Sequence, residues 1–393
     1  MAGLSIARTE RDNRDAVALR CRRPQPPPPP LPLQLQRLAV MILGTIAITL
    51  PVAAVGAGTA QATVSNQGAV TNGWTRLTMQ NGWTTQPFGT SAAAVRVISG
   101  IVYFKGAIAT TSTNPVPFTL PAAFRPGATV FIPVDTCNST NGRLQIQPSG
   151  TVIVQAESGE FSNAACFTSL DGASFAKSAA SFTRLRLRNG WFTAPFGTSA
   201  PAARIISGIV HLKGAIATSG SNPIPFTLPA SFRPATMVDV KVDLCTETNG
   251  RLQIQPNGTV IVQAEGGAFA NAACFTSLDG ASFARSATSF TRLRLSNGWS
   301  TAPFGTSAAA ARLIGGIVHL KGAIATSGTN PVPLTLPAAF RPRATVDIPV
   351  DLCDATNGRL KIQPNGTVIV QAESGEFSNA ACFTSLDGAS FAR

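Results

Sequence analysis

The sequence is poor in the side chains that most enzymes use for acid–base chemistry. Its 393 residues include two histidines and one tyrosine, and only 12% of them are charged. Histidine is the commonest general base at neutral pH, so this composition disfavours most histidine-dependent enzymes. The chain also lacks the G-x-S-x-G, P-loop and H-E-x-x-H motifs. We therefore expect no catalytic residues, no metal site and no cofactor.

The net charge of +13 overstates the charge of the folded part. Residues 1–62 hold seven arginines and three acidic residues, so residues 63–393 keep 24 basic and 15 acidic residues, a net charge of +9. A cationic surface attracts nucleic acid, anionic wall polymers or membranes. The basic residues are scattered along the sequence, which disfavours nucleic acid as the partner.

The segment 1–62 has the organisation of a secretory signal peptide. A long basic and proline-rich segment (1–37) precedes an apolar, uncharged segment (38–55) and the A-x-A site Ala60-Gln61-Ala62. Cleavage after Ala62 would leave residues 63–74 as a short linker and no membrane span. The alternative is a transmembrane anchor, because eighteen apolar residues approach the length that spans a bilayer. We expect a secreted protein, either extracellular or held at the cell surface.

The rest of the chain consists of three copies of one unit. Asn81-Gly82-Trp83 recurs at even spacing as Asn189-Gly190-Trp191 and Asn297-Gly298-Trp299, and 83 of 103 positions are identical between 183–285 and 291–393. The copies are repeat 1 (75–178), repeat 2 (183–286) and repeat 3 (291–393). This period is far longer than that of solenoid repeats and suits an independent domain. The linkers between repeats are short, so the repeats should lie close together.

Apolar and polar residues alternate within each repeat, as in half-buried strands. Ile101 to Lys105 is one such run, and Asn257-Gly258 is typical of a hairpin turn. Pro133 and its equivalent Lys241 interrupt a strand-like run, which predicts an edge strand. No window shows a convincing amphipathic helix. The fold class predicted is all-β, with three tandem antiparallel β-sandwich domains resembling jelly rolls.

Each repeat contains two cysteines that are 29 positions apart. Six cysteines allow fifteen pairings, and the repetition favours a disulfide within each repeat. The alternative, a metal site, lacks CxxC spacing and a histidine shared by all copies. The predicted disulfide cysteines are Cys137, Cys166, Cys245, Cys274, Cys353 and Cys382.

The candidate ligand-binding residues are aromatic. Trp83, Trp191 and Trp299 precede the loop Pro87-Phe88-Gly89-Thr90-Ser91 or its copies. An exposed indole would stack on a sugar ring, whereas a buried one would anchor the core. Tyr103, His211 and His319 share one position and alternate with lysines, so we expect them on the outer face of a strand as further candidates.

The recurring acids allow a competing hypothesis. Two carboxylates such as Asp135 and Glu157 are the groups that hydrolyse glycosides. However, Asp135 could pair with a recurring arginine such as Arg125 or Arg143, and Asp171-Gly172 is typical of a turn in which Asp bonds its own backbone. We expect these acids to be structural.

The order of several short motifs resembles a known module. These motifs are the NGW opening, Gly100-Ile101-Val102 with Lys105-Gly106, Phe118-Thr119-Leu120-Pro121 before Phe124-Arg125-Pro126, Asn141-Gly142-Arg143-Leu144, and Phe167-Thr168-Ser169-Leu170-Asp171-Gly172. Each repeat resembles the C-terminal β-sandwich receptor-binding modules of tail-fibre and baseplate proteins from phages of Gram-positive bacteria. The resemblance implies attachment to a host surface, and such modules commonly work as trimers. Three copies in one chain could form an intramolecular pseudo-trimer, and a homo-oligomer is the alternative.

The function predicted is that of a secreted, non-enzymatic adhesion protein that recognises a cell-surface or cell-wall polysaccharide by avidity. Two alternatives stay open. One is a purely structural extracellular spacer or matrix protein, and the other is a glycan hydrolase.

Overall fold

The computed structural model of the chain describes residues 70–71 and 73–393. The predicted signal peptide and most of the predicted linker lie outside the described residues. The described residues belong to one compact unit. Within them, no helix combines the length and the apolar character needed to cross a membrane.

Each repeat is built from short strands and one helix of six residues. The elements of repeat 1 and of the chain just before it are β1 (Val70–Thr71), β2 (Trp74–Arg76), β3 (Trp83–Thr85), β4 (Ala94–Ile98), β5 (Ile101–Lys105), β6 (Ala107–Thr110), β7 (Val130–Asp135), β8 (Asn141–Ile146), β9 (Val152–Ala156), α1 (Phe161–Cys166), β10 (Thr168–Ser169) and β11 (Ser174–Ala176). The elements of repeat 2 are β12 (Thr183–Arg184), β13 (Trp191–Thr193), β14 (Ala202–Ile206), β15 (Ile209–Lys213), β16 (Ala215–Thr218), β17 (Phe226–Thr227), β18 (Val238–Asp243), β19 (Asn249–Ile254), β20 (Thr259–Ala264), α2 (Phe269–Cys274), β21 (Thr276–Ser277) and β22 (Ser282–Ala284). The elements of repeat 3 are β23 (Thr291–Arg292), β24 (Ser300–Thr301), β25 (Ala310–Ile314), β26 (Ile317–Lys321), β27 (Ala323–Ala325), β28 (Leu334–Thr335), β29 (Val346–Asp351), β30 (Asn357–Ile362), β31 (Thr367–Ala372), α3 (Phe377–Cys382), β32 (Thr384–Ser385) and β33 (Ser390–Ala392).

The strands of each repeat form three small antiparallel sheets. In repeat 2 the strand orders are β12-β14-β15-β22, β13-β16-β21 and β17-β20-β19-β18, and repeat 3 has the same three orders with its own strands. Repeat 1 has β1-β2-β4-β5-β11, β10-β6-β3 and β7-β8-β9. The described residues therefore confirm the prediction of a β-sandwich-like, all-β protein with three tandem domains.

The hairpin between β19 and β20 shows how the sequence sets the register. Gly258 adopts a φ of +91° and donates its N–H to the carbonyl of Gln255, while the side chain of Asn257 accepts the N–H of Thr259. The turn places Leu252 opposite Val262 and Ile254 opposite Val260, with all four side chains in the core. The predicted hairpin is confirmed.

Each repeat has its own apolar core and its own disulfide. The core of repeat 2 gathers buried side chains from all three of its sheets, including Leu212, Phe226, Val240 and Phe283. The disulfide joins the end of the helix to the loop after the edge strand. The pairs are Cys137–Cys166, Cys245–Cys274 and Cys353–Cys382, so the predicted pairing is confirmed.

One set of equivalent hydrogen bonds between the repeats closes on itself. An asparagine side chain of each repeat donates to a backbone carbonyl of the next, and the third repeat returns to the first. These bonds are Asn141 to Glu247 (2.5 Å), Asn249 to Ala355 (2.6 Å) and Asn357 to Ser139 (2.5 Å). Head-to-tail contacts of this kind define a closed cyclic arrangement. The three repeats thus form a ring around an approximate threefold axis.

Candidate functional site

The three repeated tryptophans lie inside the cores. Trp83, Trp191 and Trp299 are 4% to 6% exposed, and each indole Nε1 donates to a backbone carbonyl at 2.8 Å. Each indole also packs edge-on against a phenylalanine of the short helix. A buried indole offers no face for stacking on a sugar, so the structure favours the core interpretation of these residues over the predicted binding role.

Tyr103, His211 and His319 are also buried, at 4% to 7% exposure. The expectation that they face outward is wrong, because the outer faces of their strands meet around the axis. The rings of Tyr103 and His319 lie edge to face with centroids 6.4 Å apart. Burial lowers the pKa of His211 to about 3 and that of His319 to about 4, so both histidines are neutral at pH 7.

The edge strands β7, β18 and β29 carry Pro133, Lys241 and Pro349. Each pairs with one neighbour only, which confirms the predicted edge position. Lys241 is nevertheless buried, and its ammonium group donates to the side-chain oxygens of Asn249 and Asn357. Prolines at the two equivalent positions leave room for this single lysine.

Three glutamates converge beside that lysine. Glu157, Glu265 and Glu373 each place a carboxylate oxygen within 4.8 Å of the others. Burial raises the pKa of Glu157 to about 8 and that of Glu373 to about 7, and the neighbouring carboxylates add to both shifts. These oxygens are the groups that could hold a cation, but Lys241 already supplies a positive charge that lowers the pKa of all three.

The other recurring acids have structural partners. Asp135 is fully buried and accepts a hydrogen bond from Arg359 at 3.1 Å. Its predicted partner was an arginine of its own repeat, whereas the ring brings in an arginine of repeat 3. Asp171 accepts the backbone N–H of Gly106 at 3.0 Å rather than that of its own turn. Neither carboxylate is placed to reach a substrate.

We call the contact surface between two neighbouring repeats a seam. The same arginine of the repeat lies at each seam. Arg143 of repeat 1 contacts Asp243 of repeat 2 at 3.2 Å and Glu247 at 2.6 Å, and its guanidinium lies over the ring of Phe131. Arg251 contacts Asp351 in the same way at 3.2 Å. Each of these arginines has partners from both repeats, so it links the two repeats across the seam.

Each seam also bears an exposed phenylalanine in a strained backbone conformation. Phe88, Phe196 and Phe304 are 66% to 70% exposed and have φ between +52° and +54°. The left-handed conformation costs a bulky residue about 1–2 kcal/mol. Each ring leans on a second phenylalanine at a centroid distance of 5.7 to 5.9 Å. An exposed aromatic side chain held under strain in all three copies makes these loops the candidate binding surface.

Two of these phenylalanines, Phe196 and Phe304, line clefts between the repeats. The cleft between repeats 1 and 2 has a volume of about 250 Å³, and it is lined by Phe131, Arg143 and Gln145 from one side and by Phe196, Thr246 and Phe275 from the other. The cleft between repeats 2 and 3 has a volume of about 330 Å³, with Asp239, Arg251 and Gln253 facing Phe304, Asp354 and Phe383. We call these the seam clefts.

A seam cleft combines an apolar wall with fixed polar groups. Arg251 donates to Gln263 and Asp351, while burial raises the pKa of Asp239 against the influence of Arg251. Aromatic faces beside amides, carboxylates and a guanidinium suit a polar ligand with apolar C–H surfaces. In the sequence, the phenylalanine loop follows each tryptophan closely and was visible as a candidate. The arginine that lies across the seam from the phenylalanine belongs to the neighbouring repeat, so only the ring arrangement brings it into the same cleft.

No family model matches the sequence, and neither the curated proteins nor the solved structures contain a match.

Proposed function

We propose that the chain is a secreted, non-enzymatic binding protein that attaches to a cell-surface or cell-wall glycan through its seam clefts. The observation that carries the proposal is the repeated, exposed and strained phenylalanine beside a fixed arginine. Sugar rings present C–H faces to aromatic side chains and hydroxyl groups to charged or amide side chains, and the cleft offers both.

The ring supports binding by avidity. The two seam clefts lie on one compact unit and can engage a repetitive polymer together, and linked binding of this kind raises the overall affinity. The resemblance to trimeric tail-fibre modules supports the same role, since the ring places three copies around one axis. Disulfides form and persist in oxidising environments, so the three disulfides support a secreted protein.

The test is co-sedimentation of the oxidised protein with purified Gram-positive cell walls at moderate salt. The variant replaces Phe88, Phe196 and Phe304 with alanine, and circular dichroism confirms that it folds. We expect binding by the unchanged protein and loss of binding by the variant.

A matched control removes an exposed phenylalanine outside the two seam clefts. Phe192 is 51% exposed, and the equivalent residues in the other repeats are Thr84 and Ser300. Phe192→Ser should fold and bind normally. Binding by the triple variant at the level of this control would overturn the assignment of the clefts. Failure of the unchanged protein to bind walls would instead favour the structural role.

A further inference from the structure

The fold hides most of the negative charge of the chain. Nine of the fifteen acidic residues in 63–393 are buried, and only Glu160, Asp354 and Glu376 are exposed. Nine arginines are exposed: Arg76, Arg184, Arg186, Arg188, Arg285, Arg292, Arg294, Arg343 and Arg393. The surface of the described residues is therefore more cationic than the net charge of +9 suggests, which favours an anionic partner.

Three of these arginines form a stripe in repeat 2. Arg184, Arg186 and Arg188 are exposed, while Leu185 and Leu187 between them pack against the core of repeat 2. Alternate residues of an extended strand lie about 6.6–6.8 Å apart on one side. The pairing of β12 with β14 holds the segment extended, and the backbone N–H of Arg188 donates a hydrogen bond to the carbonyl of Pro225.

The guanidinium groups of the stripe are available to a ligand. Across residues 73–393, no salt bridge involves any of the three. Arg188 donates to the hydroxyl of Thr227 at 3.3 Å, a neutral contact that orients the side chain without neutralising it. A row of unneutralised guanidinium groups is suited to carboxylates or other oxyanions in a linear polymer.

The three repeats differ in the number of arginines at the positions of the stripe. Repeat 3 has arginine at two of the three positions, followed by Ser296, and repeat 1 has arginine at one, followed by Thr78 and Gln80. The number of arginines therefore falls from three to two to one. Threonine, glutamine and serine are accepted at these positions by the same fold, so folding does not require the arginines of repeat 2.

We propose that the stripe formed by Arg184, Arg186 and Arg188 binds an anionic polysaccharide. This surface is separate from the seam clefts and does not depend on them. Single-stranded nucleic acid is the weaker alternative, because such sites interleave basic residues with exposed aromatic side chains that stack on bases. Here the interleaved residues are leucines that face the core.

The experiment compares three forms of the purified, oxidised protein. The test variant, Arg186→Thr with Arg188→Gln, gives repeat 2 the residues that repeat 1 has at Thr78 and Gln80. The control variant, Arg285→Ala with Arg343→Ala, removes two exposed arginines elsewhere. Binding to polygalacturonate is measured at low and at moderate salt, with uncharged dextran and single-stranded DNA as comparison polymers.

We expect the test variant to bind polygalacturonate about fivefold to tenfold more weakly than the control at low salt. The slope of log affinity against log salt should also fall by about 1.5, as expected for two lost contacts to a linear polyanion. Equal affinities of the two variants, absence of binding by the unchanged protein, or stronger binding to DNA than to polygalacturonate would overturn the proposal. The triple phenylalanine variant should keep its polygalacturonate affinity, which separates this surface from the seam clefts.

Discussion

Replacing Lys241 with methionine should destabilise the ring, and the size of the loss should depend on pH. Lys241→Met keeps the apolar stem but removes the ammonium group that holds the oxygens of Asn249 and Asn357 and that faces the glutamate cluster. Removing one partner of a buried charge network typically costs about 3–5 kcal/mol when its members are fully buried. The glutamates are partly exposed, so we expect a loss of about 2–3 kcal/mol at pH 8.

The sign of the pH dependence follows from the glutamates. The folded-state pKa of Glu157 is about 8 and that of Glu373 about 7, against 4.5 for an ordinary glutamate. The native state therefore holds these protons more tightly, and stability falls as pH rises from 4.5 through 8. Without Lys241 the fall is steeper. At pH 5 the carboxyl groups of Glu157 and Glu373 are largely protonated, so the loss should shrink to the hydrogen-bond contribution of about 1 kcal/mol.

Urea denaturation at pH 5 and pH 8 measures both values. Lys361→Gln is the control, because it removes one lysine at a position where the other repeats have glutamine. The control should change stability by less than about 0.5 kcal/mol at both pH values. A loss of stability for Lys241→Met that is the same at both pH values, or no loss at all, would refute the charge interaction between Lys241 and the three glutamates.

Three further predictions concern the stability of the folded repeats. Replacing both cysteines of repeat 2 with serine should cost about 3–4 kcal/mol in chemical denaturation, because the disulfide closes a loop with a sequence separation of 29. Gly214→Ala should cost more than about 3 kcal/mol, since its φ is +89° and a Cβ atom would overlap the carbonyl oxygen of Ser199. Gly266→Ser meets no atom within 4 Å, so it should cost only the strain of its φ of +58°, about 1 kcal/mol. The pKa values of His211 and His319 are lowered to about 3 and 4, so the native state binds fewer protons than the unfolded chain and stability should fall as pH drops from 6.5 toward 4. Thermal melts of the unchanged protein and of a double glutamine variant isolate this effect, which should be absent in the variant.

The interior of each repeat was predictable because it depends on local patterns. The alternation around Leu252 and Ile254, the turn at Gly258 and the paired cysteines were each visible in one copy and repeated in the others. The seams were harder to predict. Period-two alternation shows that two side chains share a face, but it does not show whether water or another repeat covers that face. His211 was therefore expected on the outer face, although it is buried.

The seam did leave a signal in the sequence. Position 241 is a lysine, whereas the two equivalent positions are prolines. A ring of three copies that holds a single buried cation between them would show this asymmetry. The arginine of each NGRL motif and the aspartate of each edge strand also recur together in all copies. Their spacing within one repeat suggested a pair in the same domain, and only the ring arrangement joins Asp135 to Arg359.

Small-angle X-ray scattering of the chain from residue 63 onward tests the closed ring most directly. A compact unit of this size should have a radius of gyration of about 20 Å. Three separate domains in a row would give a value of about 30 Å, from domains of about 13 Å spaced by their own diameters. We expect the smaller radius of gyration, which would agree with the ring and its seam clefts. The larger radius of gyration would contradict both.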